Sequence, residues 1–361
     1  MKIAIDVSQS LYGTGVSKYT KHLVTHLLRQ HANNQFILFG GSLRRKRELD
    51  TWINRLGQAE RKTYYLSPHA LNLIWNTFHL LPAETLIGKV DLIHTSDWAE
   101  PPAKAPKVTT VHDLNYLIDP GYALPQIRSV QQKRLYWVAK EAVGIIAVSN
   151  ATKHDLVQLL NIDSERIEVI HEGPSIEYPP VVSDEEAGAI KTKFLINRPY
   201  IVIPGAGHPR KNIVRAIKAF AQTKLDWQLV VIGRTGSEEK QATNKNVIFT
   251  GFVSDREWEI LISRASVLLY PSLYEGFGIP ILDAFICDVP VVTSNISSLP
   301  EVAGEAAILV NPESVEEIAA GIIKAIETRK SLIPAGQTRA KRFSWKKTAQ
   351  ETLEFYQKII S

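Results

Sequence analysis

Residues 270–288 of this 361-residue chain read YPSLYEGFGIPILDAFICD. The apolar run that leads into this stretch predicts a β-strand, Gly276 and Gly278 predict a tight loop, and the residues after them have a helical pattern. Such a loop places backbone N–H groups at the positive end of a helix dipole, where an anionic or hydroxyl-rich ligand binds well. Two carboxylates flank the loop, Glu275 and Asp283, and each is a candidate ligand contact.

Size and composition favour two globular domains. A chain of 361 residues exceeds the size at which one hydrophobic core usually stops growing, and an apolar content of 45% is ordinary for a globular protein. No apolar run reaches the roughly 18 residues of a membrane span, and no secretion signal is recognisable, so we expect a cytoplasmic protein. The single cysteine, Cys287, excludes an intrachain disulfide.

Short β-branched runs alternate with helical periodicity almost from end to end, which is typical of parallel sheets covered by helices. Strands are predicted at 2–7, 35–39, 91–94, 108–111, 144–148 and 167–170, and again at 200–203, 228–232, 247–249, 267–269, 289–293 and 308–310. Helices are predicted at 126–142, 151–160, 213–221, 255–263, 314–327 and 345–360. Around residues 171–198 prolines, glycines and the acidic run 184–186 interrupt the pattern and indicate the interdomain connection. We therefore predict two doubly wound α/β domains, residues 1–173 and 174–344, whose strand ends face a common cleft.

A glycine pair after the first predicted strand is a weak candidate for ligand binding. Gly13 and Gly15 precede an amphipathic helix, and without Cβ atoms they let a phosphate or a sugar approach the backbone. The pair lacks the third glycine of the dinucleotide-binding fingerprint. A plain turn is the alternative interpretation.

Two further motifs follow predicted strands. His112 ends the strand 108–111, and Asp113 beside it would fix the tautomer or the position of the imidazole; a structural histidine is the alternative. Arg210 and Lys211 precede a predicted helix, whose dipole they oppose unless they meet an anion. We interpret this pair as a phosphate-binding site, with solvent-exposed cations as the alternative. No Asp-x-Asp motif occurs, so we expect no metal site.

Two features bear on membrane contact. The net charge of +5 includes the basic run Arg44-Arg45-Lys46-Arg47, and each basic side chain near an anionic membrane contributes about 1 kcal/mol of attraction. A solvated loop is the alternative. The apolar stretch 71–81, with Trp75 and Phe78, is either a surface that binds a lipid-linked acceptor or a helix of the hydrophobic core. We expect no nucleic-acid binding, because no zinc finger or ribonucleoprotein motif is recognisable.

The motifs occur in a characteristic order. They are Gly13-Thr14-Gly15, His112-Asp113, Val148-Ser149-Asn150, Arg210-Lys211-Asn212, Thr250-Gly251-Phe252-Val253, Tyr270-Pro271-Ser272, Glu275-Gly276-Phe277-Gly278-Ile279-Pro280, Pro290-Val291-Val292 and Leu299-Pro300-Glu301-Val302-Ala303-Gly304. In this order the chain resembles the retaining glycosyltransferases of the GT-B fold, specifically glycosyltransferase family 4, which includes many bacterial mannosyl- and glucosyltransferases. The resemblance spans nearly the whole chain, and its most specific part begins at Glu275.

The resemblance implies a role for each domain. The C-terminal domain would bind a nucleotide-sugar and the N-terminal domain the acceptor, with the helix 345–361 packing back on the N-terminal domain. The implied donor contacts are Glu275, Gly276, Phe277 and Gly278 with the sugar, Asp283 with the ribose, Phe252 and Val253 with the base, Arg210 and Lys211 with the diphosphate, Gly13 and Gly15 with the same group from the other domain, and His112 with the sugar near the reacting carbon.

The chain departs from the family pattern at two positions. Asp283 stands where the family usually has a second glutamate, so the expected ribose contact is looser or water-mediated. Gly205 stands where many relatives have an arginine, so Arg210 would take over more of the diphosphate charge.

The resemblance implies a retaining hexosyltransferase, and without an Asp-x-Asp motif we expect it to need neither a metal ion nor a cofactor. GDP-mannose is the expected donor, with a UDP-sugar as the alternative, and the acceptor is a glycan or a lipid-linked glycan. The expected location is cytoplasmic, with either peripheral contact on the inner face of the membrane through the basic run 44–47 or no membrane contact. A GT-B-fold nucleotide-sugar epimerase and a non-catalytic sugar-binding protein are the alternative functions.

Overall fold

The computed structural model describes residues 1–11, 13–30, 33–95, 97–233, 236 and 245–361, apart from the side chain of Ala206. The chain divides into two compact units. The first unit comprises Met1–Glu172 together with Trp345–Ser361, and the second unit comprises Gly173–Ser344. Each unit is built on a parallel sheet, so the predicted α/β fold class is confirmed.

The sheet of the first unit has seven strands in the order β3-β2-β1-β4-β5-β6-β7. The strands are β1 (Lys2–Asp6), β2 (Gln35–Gly41), β3 (Glu60–Tyr64), β4 (Leu92–Thr95), β5 (Lys107–Val111), β6 (Gly144–Ala147) and β7 (Ile167–Val169). Strands β2 and β3 lie on one side of β1, and strands β4 to β7 lie on the other. The strand order therefore reverses between β1 and β4. In open parallel sheets ligands bind beyond the strand ends at such a point.

Helices cover both faces of this sheet. They are α1 (Gly15–Gln30), α2 (Lys46–Leu56), α3 (Pro68–Leu71), α4 (Glu84–Ile87), α5 (Asn115–Ile118), α6 (Pro125–Glu141) and α7 (Asn150–Leu160), with a π-helix at Asn72–Thr77 and 3-10 turns at Ser8–Leu11, Pro120–Tyr122 and Ser164–Arg166. Ser149 caps α7 by accepting a hydrogen bond from the amide of Thr152 at 3.0 Å.

The sheet of the second unit has six strands in the order β10-β9-β8-β11-β12-β13. The strands are β8 (Tyr200–Ala206), β9 (Gln228–Gly233), β10 (Val247–Gly251), β11 (Val267–Tyr270), β12 (Val291–Ser294) and β13 (Ile308–Val310). The helices are α8 (Asp184–Lys193), α9 (Ile213–Gln222), α10 (Asp255–Ser263), α11 (Ile279–Ile286), α12 (Leu299–Ala303), α13 (Val315–Glu327) and α14 (Arg329–Ala340), with 3-10 turns at Pro209–Lys211 and Gly304–Ala306. Here the strand order reverses between β8 and β11.

The last helix, α15 (Trp345–Ile360), belongs to the first unit. Trp345 and Tyr356 are fully buried in the same hydrophobic cluster as Leu23 and Leu27 of α1. An apolar stripe that recurs at three and four residues explains why this segment is helical and which face it buries.

The sequence interpretation was wrong about the acidic run 184–186. These residues form the first turn of α8, where Ser183 and Glu186 make a capping box. Negative charge at this end of a helix interacts favourably with the helix dipole and stabilises the helix. The run therefore belongs to an element of the second unit and is not part of a connection. Among the described residues, no helix is long and apolar enough to cross a membrane.

Candidate active site

The candidate site of the second unit lies where the strand order of its sheet reverses. The loop after β8 carries Arg210 and Lys211, and the loop after β11 carries Glu275. The two loops are adjacent because β8 and β11 pair directly, although the residues are more than sixty positions apart in sequence. The topology thus brings together three side chains that the sequence singled out separately.

Glu275 forms ion pairs with both cations. Its Oε2 accepts a hydrogen bond from Arg210 Nη1 at 2.5 Å, and its Oε1 accepts one from Lys211 Nζ at 2.6 Å. Lys211 Nζ also donates to the hydroxyl of Tyr270 at 2.7 Å. The anion that the two cations need is therefore a side chain of the protein itself, which the sequence interpretation did not foresee.

The charge state of Glu275 follows from these contacts. The side chain is only 6% exposed, and burial alone would raise its pKa. The positive charges of Arg210 and Lys211 outweigh burial and lower the pKa from 4.5 to about 2. Glu275 is thus ionised at neutral pH, so it accepts hydrogen bonds and has no proton to donate.

Hydrogen bonds fix the loop that carries the cations. Asn212, which has a left-handed backbone with φ of 60°, donates from Nδ2 to the carbonyls of Pro271 at 3.0 Å and Pro312 at 2.6 Å. The amide of Leu273 donates to the carbonyl of Arg210 at 2.7 Å. The loops after β8, β11 and β13 are therefore held to one another.

Two serines fix the loop that carries Glu275. Ser298 Oγ donates to the carbonyls of Glu275 at 2.9 Å and Phe277 at 2.8 Å, and Ser297 Oγ donates to the carbonyl of Glu275 at 2.6 Å. Gly278 directly precedes α11 and has φ of 120°, a backbone conformation that residues other than glycine rarely adopt. These contacts determine where the carboxylate of Glu275 lies.

Gly205, which stands where many relatives have an arginine, leaves room for the side chain of Lys211. Its φ is 97°, and a Cβ built there would lie 2.8 Å from Lys211 Cε. The Lys211 side chain therefore occupies the space into which a larger residue at this position would extend. Glycine at 205 and the observed position of Lys211 depend on each other.

Asp283 has contacts that differ from the expected role. It is 1% exposed, and its carboxylate accepts hydrogen bonds from the amide and hydroxyl of Ser175 at 2.7 and 2.5 Å, the amide of Ile176 at 3.0 Å and Trp258 Nε1 at 2.9 Å. These partners tie the segment that follows Gly173 to helices α10 and α11. In this arrangement both carboxylate oxygens already bind groups of the protein.

Phe252 and Val253, the residues expected at the base, follow β10. Phe252 is 80% exposed, so its ring is accessible for stacking. In the sheet, β9 and β8 separate β10 from β11, which leads to Glu275. The structure therefore brings together Glu275, Arg210 and Lys211 but does not place Phe252 in that cluster.

A cavity of about 500 Å³ borders the loop after β8. Its lining includes His208, Arg215, Lys218, Gly236 and Leu273. This volume lies within the range of small-molecule sites. The side chains of Arg215 and Lys218 make this part of the surface basic.

In the first unit, Gly13 lies between β1 and α1 and Gly15 is the first residue of α1, both at the reversal of strand order. Gly13 has φ of 68°, so the turn itself favours glycine. A Cβ at Gly15 would meet nothing within 4 Å, so the protein's own packing does not require glycine there. Both glycines thus lie at the strand edge that the fold makes available to ligands.

His112 follows β5 at the same edge of the first sheet. Its Nδ1 lies 2.9 Å from Glu172 Oε1. Asp113 instead accepts a hydrogen bond from the amide of Asn115, so the prediction that Asp113 orients the imidazole was wrong. Sequence reasoning missed Glu172, because sixty residues separate the two partners and only the sheet order brings them together.

The structure clarifies both features considered for membrane contact. Arg45 pairs with Glu48, and Lys46 pairs with Asp50 at 2.8 Å in the first turns of α2, so two cations of the basic run bind neighbouring carboxylates. Within the stretch 71–81, Leu71 and Trp75 are buried, whereas Phe78 and Leu80 are 65% and 62% exposed. The stretch is therefore partly core and partly surface.

Comparison with known proteins identifies the family. The model described as Glycosyltransferase Family 4 matches residues 13–178, and the model described as Glycosyl transferases group 1 matches residues 187–349. The O-antigen chain mannosyltransferase RfbU of Salmonella typhimurium is 30% identical over 281 residues, which cover 74% of this chain and 73% of RfbU. The chain belongs to glycosyltransferase family 4.

Other relatives agree with this assignment. The O-antigen chain mannosyltransferase B of Escherichia coli is 28% identical over 372 residues, covering 95% of this chain and 96% of that protein. The crystal structure of Anabaena HepE in complex with UDP and glucose superposes with a TM-score of 0.71 at 18% identity, covering 99% of this chain and 100% of HepE. The fold of this family 4 chain is thus GT-B, and its activity is glycosyl transfer.

Proposed function

We propose that this family 4 glycosyltransferase moves mannose from a nucleotide-sugar, GDP-mannose as the first candidate, to a glycan or lipid-linked acceptor. The observation that carries the proposal is the buried carboxylate of Glu275 between Arg210 and Lys211 at the reversal of strand order. Mannose is supported by the two O-antigen mannosyltransferases. A nucleotide-sugar donor is supported by HepE, whose structure holds UDP and glucose. A UDP-sugar is the alternative donor.

The charge of the cluster suits this reaction. Two cations and one carboxylate leave one net positive charge, which attracts a nucleoside diphosphate and stabilises it as it departs. Removal of one preorganised donor of this kind typically costs on the order of 10² to 10³ in rate. The ionised Glu275 accepts hydrogen bonds from sugar hydroxyls and helps to orient the donor.

The proposed mechanism retains the configuration of the sugar and uses no metal ion. The acceptor hydroxyl attacks from the face on which the diphosphate departs, and the departing phosphate takes the hydroxyl proton. Arg210 and Lys211 supply the positive charge that a metal would otherwise provide. The family resemblance adds His112, Gly13 and Gly15 to the proposed donor contacts.

Activity assays test the proposal directly. The enzyme is incubated with GDP-mannose or UDP-glucose, with and without octyl α-mannoside, and the released nucleoside diphosphate and the product linkage are measured. We expect acceptor-dependent release that persists in EDTA. Conversion of the donor to another sugar without an acceptor would indicate an epimerase, and strict metal dependence would contradict the proposed mechanism.

Variants of the cluster test its role. Lys211→Ala and Glu275→Ala should each lose about 10² or more in kcat while remaining folded. Lys193→Ala is the matched control, because Lys193 forms an exposed ion pair with Glu257 elsewhere in the second unit. Turnover close to that of the unchanged enzyme in Lys211→Ala would overturn the assignment.

A further inference from the structure

Glu172 is a buried carboxylate that no shared motif singled out. It follows β7, whereas its partner His112 follows β5, and β6 lies between these two strands. Glu172 is 5% exposed, and its Oε1 lies 2.9 Å from Nδ1 of His112, whose side chain is 13% exposed. A buried carboxylate at this distance from an imidazole nitrogen fixes the proton on Nδ1 and leaves Nε2 for another partner.

Neighbouring groups hold both members of the pair in place. The ring of Tyr19 packs edge-on against His112 with 4.5 Å between centroids, and Trp345 packs edge-on against Tyr19 at 5.7 Å. The carbonyl of His171, next to Glu172, accepts a hydrogen bond from Thr348 Oγ1 at 2.7 Å. Helix α15 therefore supports the pair indirectly, through Tyr19 next to the imidazole and through the backbone of His171 next to Glu172.

Several charged and titratable groups surround His112. Acidic groups on this side are Glu172, Asp97 and Asp113, and Tyr19, His94 and Arg134 are the other titratable groups close by. Burial lowers the pKa of His112, but the hydrogen bond and negative charge of Glu172, with Asp97 and Asp113, outweigh it, so the pKa lies above 6.5. The acidic groups thus favour the imidazolium form.

We propose that Glu172 is a positioning residue, which holds His112 by Nδ1–H so that Nε2–H donates a hydrogen bond to the donor sugar or its phosphate. The inference rests on the proposed function in one respect, the contact between His112 and the donor. The pairing itself is independent of that contact. The acidic groups around His112 favour the protonated ring. A charged Nε2–H donor then makes a stronger hydrogen bond to an anionic oxygen than a neutral one would.

The pH profile of Glu172→Gln separates positioning from a general structural role. Loss of the carboxylate should lower the pKa of His112 by about one unit or more, so the alkaline limb of kcat/KM moves to lower pH. Activity should therefore fall at pH 8 and recover in part at pH 6. The pKa shift should be smaller in Glu172→Asp than in Glu172→Gln. In the double variant, adding Glu172→Gln to His112→Asn should lower kcat/KM little beyond the effect of His112→Asn alone.

Glu141→Gln is the matched control. Glu141 Oε1 lies 2.9 Å from Nε2 of His79, so it forms the same kind of pair. It also binds Lys107 at the beginning of β5, whereas His112 follows the end of that strand. Removing this carboxylate should leave the alkaline limb unchanged.

NMR titration of histidine-labelled protein gives a measurement that does not depend on transferase activity. The resonances of His112 are assigned by their loss in His112→Asn. The expected result is a lower pKa for His112 in Glu172→Gln, and loss of the Nδ1–H tautomer at high pH. An unchanged His112 pKa would overturn the inference, even if Glu172→Gln lowers activity. A shifted pKa without transferase activity in the unchanged protein would preserve the pairing and reject the proposed function.

Discussion

Gly205 limits what can be changed next to the cation cluster. Its backbone has φ of 97°, and an added Cβ would lie 2.8 Å from Lys211 Cε. We predict that Gly205→Ala displaces the Lys211 side chain from Glu275 and lowers kcat by about tenfold or more, since it weakens one preorganised cation. Steady-state kinetics with the donor that the activity assays select measure this loss.

Gly57→Ala is the control that introduces backbone strain without displacing Lys211. Gly57 has φ of 71°, and a Cβ there would meet nothing within 4 Å. Both variants carry the strain of an alanine at positive φ, roughly 1 kcal/mol, but only Gly205→Ala disturbs Lys211. Equal activities in the two variants would show that Lys211 tolerates the contact.

Sequence reasoning at the residue scale recognised a local conflict, two cations before a helix, and predicted a bound phosphate for them. The structure pairs Arg210 and Lys211 with Glu275, and phosphate binding stays a prediction. Sequence reasoning failed where a partner is distant along the chain. Nothing near Glu172 or Ser175 marks them as partners of His112 and Asp283, because those contacts depend on which strands and loops become neighbours.

At the scale of elements, the predicted strands and helices were found wherever the hydrophobic pattern was regular. The sequence missed β3, because Glu60–Tyr64 is a polar edge strand with no buried residue. It also missed α14, whose interior contains Pro334, a residue that usually ends a helix. Neither element has the regular hydrophobic pattern by which the predicted elements were recognised.

Asp283 joins three elements, and its removal tests two interpretations. If its main role is to bind Ser175, Ile176 and Trp258, Asp283→Ala leaves buried donors unpaired and lowers the free energy of unfolding by on the order of 3 kcal/mol. If it mainly binds the ribose, the donor KM rises and stability changes little. We predict the first result, measured by urea unfolding together with kinetics.

Asp226→Ala is the control for Asp283→Ala. The Asp226 side chain is 84% exposed and pairs with Arg198 on the surface of the same unit. Exposed ion pairs contribute little to stability. If Asp226→Ala and Asp283→Ala lowered the free energy of unfolding equally, the stability loss in Asp283→Ala could not be attributed to the buried hydrogen bonds of Asp283.

At the scale of the whole molecule, buried polar groups make stability depend on pH. His94, on β4, is 3% exposed; its Nε2 lies 2.8 Å from Thr110 Oγ1, and its Nδ1 contacts the hydroxyl of Tyr356 in α15. Burial, followed by repulsion from His112 and Arg134, lowers the pKa of His94 from 6.5 to about 3. The imidazole is therefore neutral in the folded protein over most of the acid range.

This lowered pKa predicts acid destabilisation that begins near neutrality. Between pH 6.5 and about 3 the unfolded chain binds a proton at His94 and the folded chain does not, so stability falls as pH falls, by about 1.4 kcal/mol per pH unit. We predict that His94→Gln removes this part of the slope when urea unfolding is measured from pH 6.5 to 4.5. His154→Gln, at an exposed position in α7, should keep the original slope. An unchanged slope in His94→Gln would mean that His94 is protonated in the folded protein, and the network that joins β4 to α15 would then require a charged imidazole.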